Sequence, residues 1–254
     1  MMLAVSSLEK RFGGLVALKD VHFSVTPGQV KAVIGPNGAG KTTLFNLIAG
    51  TLKPTAGDIR LDGETIAGLP APRIGMAGVA RTFQQPQVFA SLTILENAML
   101  GGHRYHRGGF LACGLGLKHT KREEDKLRER AEQWLAFAGI ADIAHRNASE
   151  LPLGQQRYVE IARAMATGSK LILMDEPAAG LDDTETRELA DMVRAISDTG
   201  TTVLLIDHHM DFVMSLADEV LVLNFGQRLA EGTPHEIQKS QLVIDAYLGI
   251  DDDA

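Results

Sequence analysis

The stretch GPNGAGKTT, residues 35–43, constrains the fold of this chain more than any other part of the sequence. It fits the pattern G-x-x-x-x-G-K-[ST], in which glycines let consecutive backbone N–H groups surround a phosphate at the start of a helix. The apolar run VKAVIG (30–35) precedes it, and Leu44, Leu47 and Ile48 follow it at helical spacing. A strand, a glycine-rich loop and a helix in this order predict a polyphosphate site on an α/β core.

The loop residues divide into two side-chain ligands and a backbone cradle. Lys41 is expected to reach the outer phosphates of the ligand, and the Thr42 hydroxyl is expected to ligate Mg²⁺. A chance match to this pattern occurs in roughly one chain of this length per hundred on average residue frequencies, and the flanking strand and helix lower that figure further. The other predicted nucleotide contacts in the loop are Gly35, Pro36, Asn37, Gly38, Ala39, Gly40 and Thr43.

The pattern on both sides of the loop predicts two kinds of sheet. VHFSV (21–25) and GDIRLDG (57–63) alternate between apolar and polar residues, which favours an antiparallel sheet. LILMDEP (171–177) and TVLLID (202–207) are short buried-type strands separated by a helical pattern, as a parallel sheet requires. EVLVLNFGQRLAEG (219–232) is typical of a hairpin.

A helical insertion is predicted from Thr93 to about Ala166. Inside it, the segment 101–125 is rich in glycine and basic residues; it is predicted to be a solvated loop, and a partner-binding role is the alternative. Two apolar stripes mark helices of the insertion, one formed by Leu127, Ala131, Trp134 and Ala138, the other by Tyr158, Ile161, Ala162 and Met165.

Composition narrows the class of protein. The chain has 254 residues, 45% of them hydrophobic, which is enough for a full core. Its net charge of −7 argues against a general nucleic-acid grip, because phosphate backbones demand a basic face. The single cysteine, Cys113, excludes an intramolecular disulfide and fits a reducing compartment. No apolar run approaches the roughly 18 residues that span a bilayer, so we expect a soluble chain.

Asp175 and Glu176 follow directly after four apolar residues of a predicted strand. An aspartate at the carboxyl edge of such a sheet can hold the Mg²⁺ shell, and a neighbouring glutamate can accept a proton from the attacking water. The pair therefore predicts nucleotide hydrolysis in addition to nucleotide binding.

The segment ELPLGQQRYVEIARAM (150–165), closely followed by Asp175 and Glu176, resembles the signature helix and magnesium strand of ABC-type ATPases. The usual form of that signature is Leu-Ser-Gly-Gly-Gln. Pro152 and Leu153 replace its serine and first glycine here. The positions that match the signature are Leu151, Gly154 and Gln155.

Three further segments carry the same resemblance in the same order. RTFQQPQVF (81–89) is similar to the Q-loop and places Gln84 in its sensing position. AGLD (179–182) is similar to the D-loop, and LLIDHHM (204–210) places His208 where the family has its switch histidine. The resemblance covers nearly the whole chain.

The resemblance implies one ABC ATP-binding domain over residues 1–254. Its fold class is α/β, with a RecA-like P-loop NTPase core built on a parallel sheet, an antiparallel β subdomain and a helical subdomain. The helical subdomain is expected at about 93–166, and a C-terminal extension at about 233–254.

The family mechanism implies roles for residues outside the loop. Two cassettes face head to tail, and each ATP lies between the P-loop of one and the signature helix of the other. Phe12 is expected to stack on adenine, with a plain core role as the alternative. Gln84 would approach Mg²⁺ and the attacking water, Glu176 would polarise that water, and His208 would contact the γ-phosphate. Asp182 would meet the partner's P-loop. His209 is expected only to complete a helix start.

Pro152 has neither a hydroxyl nor a backbone N–H, so two potential phosphate donors are missing at the signature. The N–H groups of Leu153, Gly154 and Gln155 remain at the helix terminus, and the helix dipole lies behind them. We therefore expect a backbone contact with phosphate that is weaker than that of Leu-Ser-Gly-Gly-Gln.

Within the family, the LPxGQQR form, the His- and Arg-containing insertion at 103–125, and GTPHEI followed by AYLG (246–249) resemble the LivG type of branched-chain amino acid importers. That resemblance implies a second cassette, identical or different, together with transmembrane permease subunits and, indirectly, a periplasmic or extracellular substrate-binding protein. It places the chain peripherally on the cytoplasmic face of the inner membrane.

Three alternatives stay open at this point. Related cassettes for urea, lipopolysaccharide or other small molecules share much of the pattern. A soluble ABC ATPase acting on ribosomes or DNA usually carries two fused cassettes or a long coiled-coil insertion, and this chain shows one P-loop and neither addition. A P-loop kinase would require an acceptor pocket and a lid, and the signature helix together with the order of Gln84 and His208 disfavours it.

Overall fold

The computed structural model describes residues 1–105 and 118–248, without side-chain detail for 103–105 and 118–121. The chain divides into two compact units, residues 1–81 together with the chain from Lys170 onward, and residues 82–169. Cys113, residues 106–117 of the basic segment 101–125, and the end of the chain after Leu248 lie outside the described residues.

The first unit is built on a six-stranded sheet with the order β10-β9-β3-β8-β7-β6 in the described residues. Neighbouring strands pair in parallel, except that β10 pairs with β9 in an antiparallel hairpin. The central strands are buried on both faces, which explains their continuous apolar sequences. The strands are β3 (Val30–Ile34), β6 (Val79–Arg81), β7 (Leu171–Asp175), β8 (Thr202–Ile206), β9 (Glu219–Asn224) and β10 (Gln227–Gly232).

A second, antiparallel sheet of the same unit has the order β2-β1-β4-β5. The two strands predicted for this sheet, VHFSV (21–25) and GDIRLDG (57–63), do not pair with each other. Strand β1 lies between them and pairs with both. The core lies between the sheets, where Leu44, Phe45 and Leu47 are fully buried beside strand residues of both. The strands are β1 (Leu3–Phe12), β2 (Leu15–Val25), β4 (Ala56–Leu61) and β5 (Glu64–Thr65).

Of the helices described in the first unit, three follow strands of the parallel sheet, one follows the antiparallel sheet, and two come after the β9–β10 hairpin. An N-terminal capping box starts two of them, at Asp182 and at Thr233. The helices are α1 (Lys41–Ile48), α2 (Ala71–Ala77), α6 (Asp183–Asp198), α7 (Met210–Leu216), α8 (Pro234–Lys239) and α9 (Gln241–Leu248).

The second unit is helical in its described residues, as the apolar stripes predict. Thr93 starts α3 with a capping box, and the buried Asn97 side chain bonds the backbone of Phe89 on both its N–H and its carbonyl. The helices are α3 (Ile94–Met99), α4 (Lys118–Phe137) and α5 (Leu153–Ala166), with 3₁₀ turns at Leu100–Tyr105, Ala141–Ile143 and Ala148–Glu150.

Strand register decides where chemistry can occur in the first unit. Val33 of β3 lies opposite Ile206 of β8, and Ile206 lies opposite Asp175 of β7. The carboxyl ends of three parallel strands therefore meet at one sheet edge, where ligands of open α/β sheets bind. Across the described part of the chain, no helix combines the length and the apolar character that crossing a membrane requires.

Candidate nucleotide site

The glycine-rich loop after β3 has the backbone that its sequence predicts. Gly35, Gly38 and Gly40 have φ angles of 147°, 82° and 98°, in the region that favours glycine. A Cβ atom on Gly35 would lie 2.0 Å from the carbonyl oxygen of Leu223, so a side chain does not fit there. Around Gly38, no atom lies within 4 Å of the corresponding position, so that face of the loop is open. The loop can present its backbone N–H groups to an anion from this side.

Lys41 lies over this loop at the start of α1. Its ammonium group donates to the carbonyl oxygens of Gly35 at 2.6 Å and Pro36 at 2.9 Å. Burial lowers the pKa of Lys41, and the nearby Glu176 carboxylate opposes that shift. An ammonium with three donors can hold the loop with two of them and direct the third to a phosphate.

A cavity of about 540 Å³ opens beside the loop and joins two chemically different ends. The polar end contains the loop residues 37–43, including Lys41 and Thr42, and the Glu176 carboxylate. Exposed apolar side chains form the other end: Phe12, Leu15, Val16 and Phe225. A ligand with a flat apolar part and a polyphosphate tail matches both ends.

Asp175, at the carboxyl end of β7, is held by an arginine that no sequence motif predicted. Arg81 Nη2 lies 2.7 Å from Asp175 Oδ2, and Arg81 Nη1 donates to Asn46 Oδ1 at 2.7 Å. Both charged side chains are mostly buried. The hydroxyl of Thr42 and the carboxylate of Asp175 are hard oxygen donors that suit Mg²⁺, so the residues fit a magnesium ion. Arg81 is a cation that already engages one of these oxygens.

Glu176 has a strained backbone. Its φ angle is +46°, which is uncommon for a residue with a side chain, and its N–H donates to the carbonyl of Ile206 at 2.8 Å. Glu176 Oε2 lies 3.8 Å from His208 Nδ1. The structure thus brings the predicted base and the predicted switch histidine together at the sheet edge.

The prediction that the His209 imidazole completes a helix start is wrong. His209 is the N-terminal cap residue of α7, but its side chain makes no capping hydrogen bond. Its Nδ1 instead lies 2.9 Å from Oδ1 of the buried Asp207, which also accepts the N–H groups of His208 and His209. Asp207 Oδ2 accepts the N–H of Ala178, just after Glu176. Asp207 therefore ties the His208 turn to the Glu176 turn.

Asp182 caps α6. Its Oδ1 atom accepts the N–H groups of Thr184 at 2.8 Å and Glu185 at 2.9 Å. The Glu185 carboxylate in turn accepts the N–H of Asp182. This capping fixes the rotamer of an exposed carboxylate at the unit's surface.

The second unit carries the predicted signature residues at the start of α5. Pro152 is the N-terminal cap residue, with φ −56° and ψ 158°, and its carbonyl accepts the N–H of Gln156. Leu153, Gly154 and Gln155 therefore form the first turn, whose N–H groups have no acceptor within a helix. Leu151 and Gly154 are buried, while Gln155 is half-buried.

Side chains of α5 also hold the segment that carries Gln84. The fully buried Arg157 donates to the carbonyl oxygens of Phe83 at 2.6 Å and Gln84 at 2.8 Å. Glu160 accepts the N–H groups of Phe83 and Gln87. Burial raises the pKa of Glu160, and the Arg163 charge 3.6 Å away opposes the shift. Motif spacing alone did not predict this anchoring.

A parallel-sheet P-loop core with Asp175 and Glu176 at its carboxyl edge defines the class of nucleotide-hydrolysing P-loop proteins. The model of the ABC transporter family matches residues 18–179, and that of the branched-chain amino acid ATP-binding cassette transporter matches residues 227–253. The chain belongs to the ABC transporter family, and it is an ATPase of that type.

Related proteins align with nearly the full length of this chain. The high-affinity branched-chain amino acid transport ATP-binding protein BraF of Pseudomonas aeruginosa is 45% identical, and LivG of Escherichia coli K12 is 41% identical; each alignment covers 98% of both chains. The crystal structure of an ABC transporter cassette in its ADP conformation has a TM-score of 0.85 at 34% identity, covering 98% of both chains. The predicted family, fold class and LivG-type resemblance are confirmed.

Proposed function

We propose that this chain is the ATP-hydrolysing subunit of an ABC importer for branched-chain or related amino acids. The observation that carries the proposal is the cavity in which the P-loop, Lys41, Thr42 and Glu176 meet an apolar end containing Phe12. Its polar end suits the phosphates of ATP, and its apolar end suits the base.

Residues at the sheet edge divide the hydrolytic work. The loop N–H groups and Lys41 bind the phosphates, and Thr42 and Asp175 would hold Mg²⁺. Such an ion neutralises charge that develops on the phosphate oxygens. Glu176 orients a water molecule and accepts its proton, and His208 donates to the γ-phosphate. Gln84, on the second unit, is assigned to the metal ion and the attacking water.

A second cassette completes each site in this proposal. The first turn of α5 directs its backbone N–H groups to the γ-phosphate bound by the partner, with Leu151, Gly154 and Gln155 as the signature residues. Asp182, fixed by its own capping bonds, contacts the P-loop of the partner. ATP binding closes the two cassettes, and hydrolysis separates them.

The chain acts as a single domain over residues 1–254, with its helical part at 93–166 and a C-terminal extension at 233–254. It lies on the cytoplasmic face of the inner membrane, bound to permease subunits that receive a substrate-binding protein on the other side. The cargo assignment rests on the relatives, whose names specify branched-chain amino acid transport.

Glu176→Gln tests the hydrolytic assignment. This change keeps the size of the side chain and removes the base, so we expect phosphate release without any added acceptor to fall by about 100-fold or more. ATP should then hold two variant cassettes together, as measured by size-exclusion chromatography with light scattering. The control is Glu64→Gln, an exposed carboxylate on the edge strand β5, which should hydrolyse ATP like the unaltered chain. Full activity of Glu176→Gln would refute the assignment.

The transport assignment needs the complete assembly. The chain, copurified with its permease subunits and reconstituted in vesicles with the binding protein, should drive ATP-dependent uptake of radiolabelled leucine. Uptake of urea under the same conditions, with no uptake of leucine, would overturn the cargo while leaving the ATPase assignment intact.

A further inference from the structure

The tip of the β9–β10 hairpin carries a residue that local turn chemistry disfavours. Asn224 pairs with Gln227, so Phe225 and Gly226 form a two-residue turn. Their φ angles are +44° and +74°, the pattern of a type I′ turn, whose first position normally holds asparagine, aspartate or glycine. A phenylalanine there strains the backbone, and such strain persists where another requirement outweighs it.

The tip is fastened to the phosphate-binding loop. Gly226 donates its N–H to the Ala39 carbonyl at 3.2 Å and accepts the N–H of Lys19 at 2.8 Å. A Cβ on Gly226 would lie 2.5 Å from the carbonyl oxygen of Ala17, so only glycine permits this approach. Phe225 is therefore held at a fixed place beside the loop.

The Phe225 ring is 73% exposed and lines the apolar end of the cavity together with Phe12. The two rings come from different hairpins, β1–β2 and β9–β10. Core packing does not explain why an exposed aromatic ring is held in a strained turn. Contact with a flat ligand does explain it. Stacking on aromatic side chains suits any nucleobase and is stronger for larger ones.

We propose that Phe225 is a second base-binding residue, which contacts the purine ring of the nucleotide in addition to Phe12. This inference rests on the proposed ATP site and adds a specificity determinant to it. Because the contact is made by a ring face and not by hydrogen bonds, it favours purines over pyrimidines and discriminates little between adenine and guanine.

Phe225→Gly separates binding from folding. Glycine tolerates the positive φ angle, so thermal stability should be unchanged or higher, while the affinity for ADP falls by about fivefold or more. Pyrophosphate affinity should not change, and the preference for ADP over CDP should decrease. Calorimetric titration gives all three affinities, and Phe225→Tyr, which keeps a ring, should retain them. Asp20→Gly relieves a similar positive φ at an exposed position within strand β2 and is the control.

Two results would overturn the inference while leaving the proposed ATP site intact. Unchanged ADP affinity in Phe225→Gly would mean that the ring does not meet the base. An equal loss for ADP and pyrophosphate would mean that the hairpin supports only the phosphate loop. If the unaltered chain bound no ADP, the proposed ATP site itself would fail, and this inference would fail with it.

Discussion

Arg157 Nη2 donates to the backbone carbonyl oxygen of Gln84 at 2.8 Å, so the signature helix α5 holds the residue assigned to sense the γ-phosphate. The second nitrogen of the same guanidinium bonds the Phe83 carbonyl at 2.6 Å. Because two adjacent carbonyls accept hydrogen bonds from one fully buried cation, this short stretch of backbone is held firmly in place. Within this unit, the position of Gln84 depends on Arg157.

We therefore expect Arg157→Met to weaken both stability and catalysis. The change removes a fully buried cation that donates to two carbonyls and lies 3.8 Å from the Glu160 carboxylate, which costs about 3 to 5 kcal/mol of unfolding free energy. Denaturant unfolding measures this loss. In the milder variant Arg157→Lys, kcat should fall more than KM rises, because Gln84 is assigned to the attacking water.

Arg146→Met is the matched control, because Arg146 pairs with Glu150 on the exposed surface of the same unit. Its unfolding free energy should change by no more than about 1 kcal/mol. A KM effect in Arg157→Lys with normal kcat would show that Gln84 is not positioned in this way.

Arg81→Met tests whether Arg81 and Mg²⁺ compete for the Asp175 carboxylate. Removing the arginine leaves a mostly buried carboxylate unpaired, so the melting temperature falls in the absence of ligand. Mg²⁺ with ATP should then raise the melting temperature of the variant more than that of the unaltered chain, because the ion replaces the lost charge. Differential scanning calorimetry with and without Mg²⁺ and ATP gives both values.

For Arg81→Met, the surface pair of Arg60 and Asp58 provides the comparison, and Arg60→Met should respond to ligand like the unaltered chain. Equal stabilisation of Arg81→Met and the unaltered chain would argue against a metal ion at Asp175.

Pro152→Ser should strengthen the contact between cassettes. Losing one hydrogen bond to a charged group costs about 1.5 to 3 kcal/mol, so restoring a hydroxyl donor should raise ATPase rate or ATP-driven closure by about tenfold in the assembled transporter. Pro152→Ala is the control, since it restores the backbone N–H without a hydroxyl.

Because Pro152 makes no side-chain capping bond, serine can also cap its own helix, which adds about 1 kcal/mol of stability. A higher melting temperature with unchanged or lower ATPase rate and closure would show that the hydroxyl serves the helix and not the phosphate.

Ionisation of the Tyr247 hydroxyl, in α9, is expected to lower the stability of the folded chain at alkaline pH. Tyr247 is 41% exposed, but partial burial of its ring raises the pKa of its hydroxyl to about 12, and a hydrogen bond with the backbone of Gly35 opposes that shift. An unfolded tyrosine ionises near pH 10, so between about pH 10 and 12 the unfolded chain loses this proton first. The contribution of Tyr247 is therefore complete below about pH 10 and decreases as pH rises through that window.

Tyr247→Phe removes the ionisable group, so its melting temperature should fall less between about pH 9 and 11 than that of the unaltered chain. Circular dichroism melts at both values measure the difference. An identical fall in both proteins would mean that Tyr247 ionises as readily in the folded chain as in the unfolded one.

Local sequence rules predicted the strand, loop and helix around Lys41, the parallel strands that follow, and the helices in the part of 93–166 that the structure describes. They succeeded because each element depends on residues close in the sequence: apolar periodicity, glycines at positive φ, and caps. They missed β1, in which apolar and polar residues alternate only weakly, and β6, which is very short. The placement of Asp175 and Glu176 at one sheet edge also followed from the parallel order.

Tertiary structure alone decided which side chains hold these groups. Arg81 reaches Asp175, 94 positions away, Arg157 reaches Gln84, 73 positions away, and Asp207 joins His209 to the turn after Glu176. No local pattern encodes these pairs, because they form only when packing removes the charged groups from water and brings their partners within hydrogen-bonding distance. The sequence thus determined the chemistry available to this protein, and the packed fold determined its geometry.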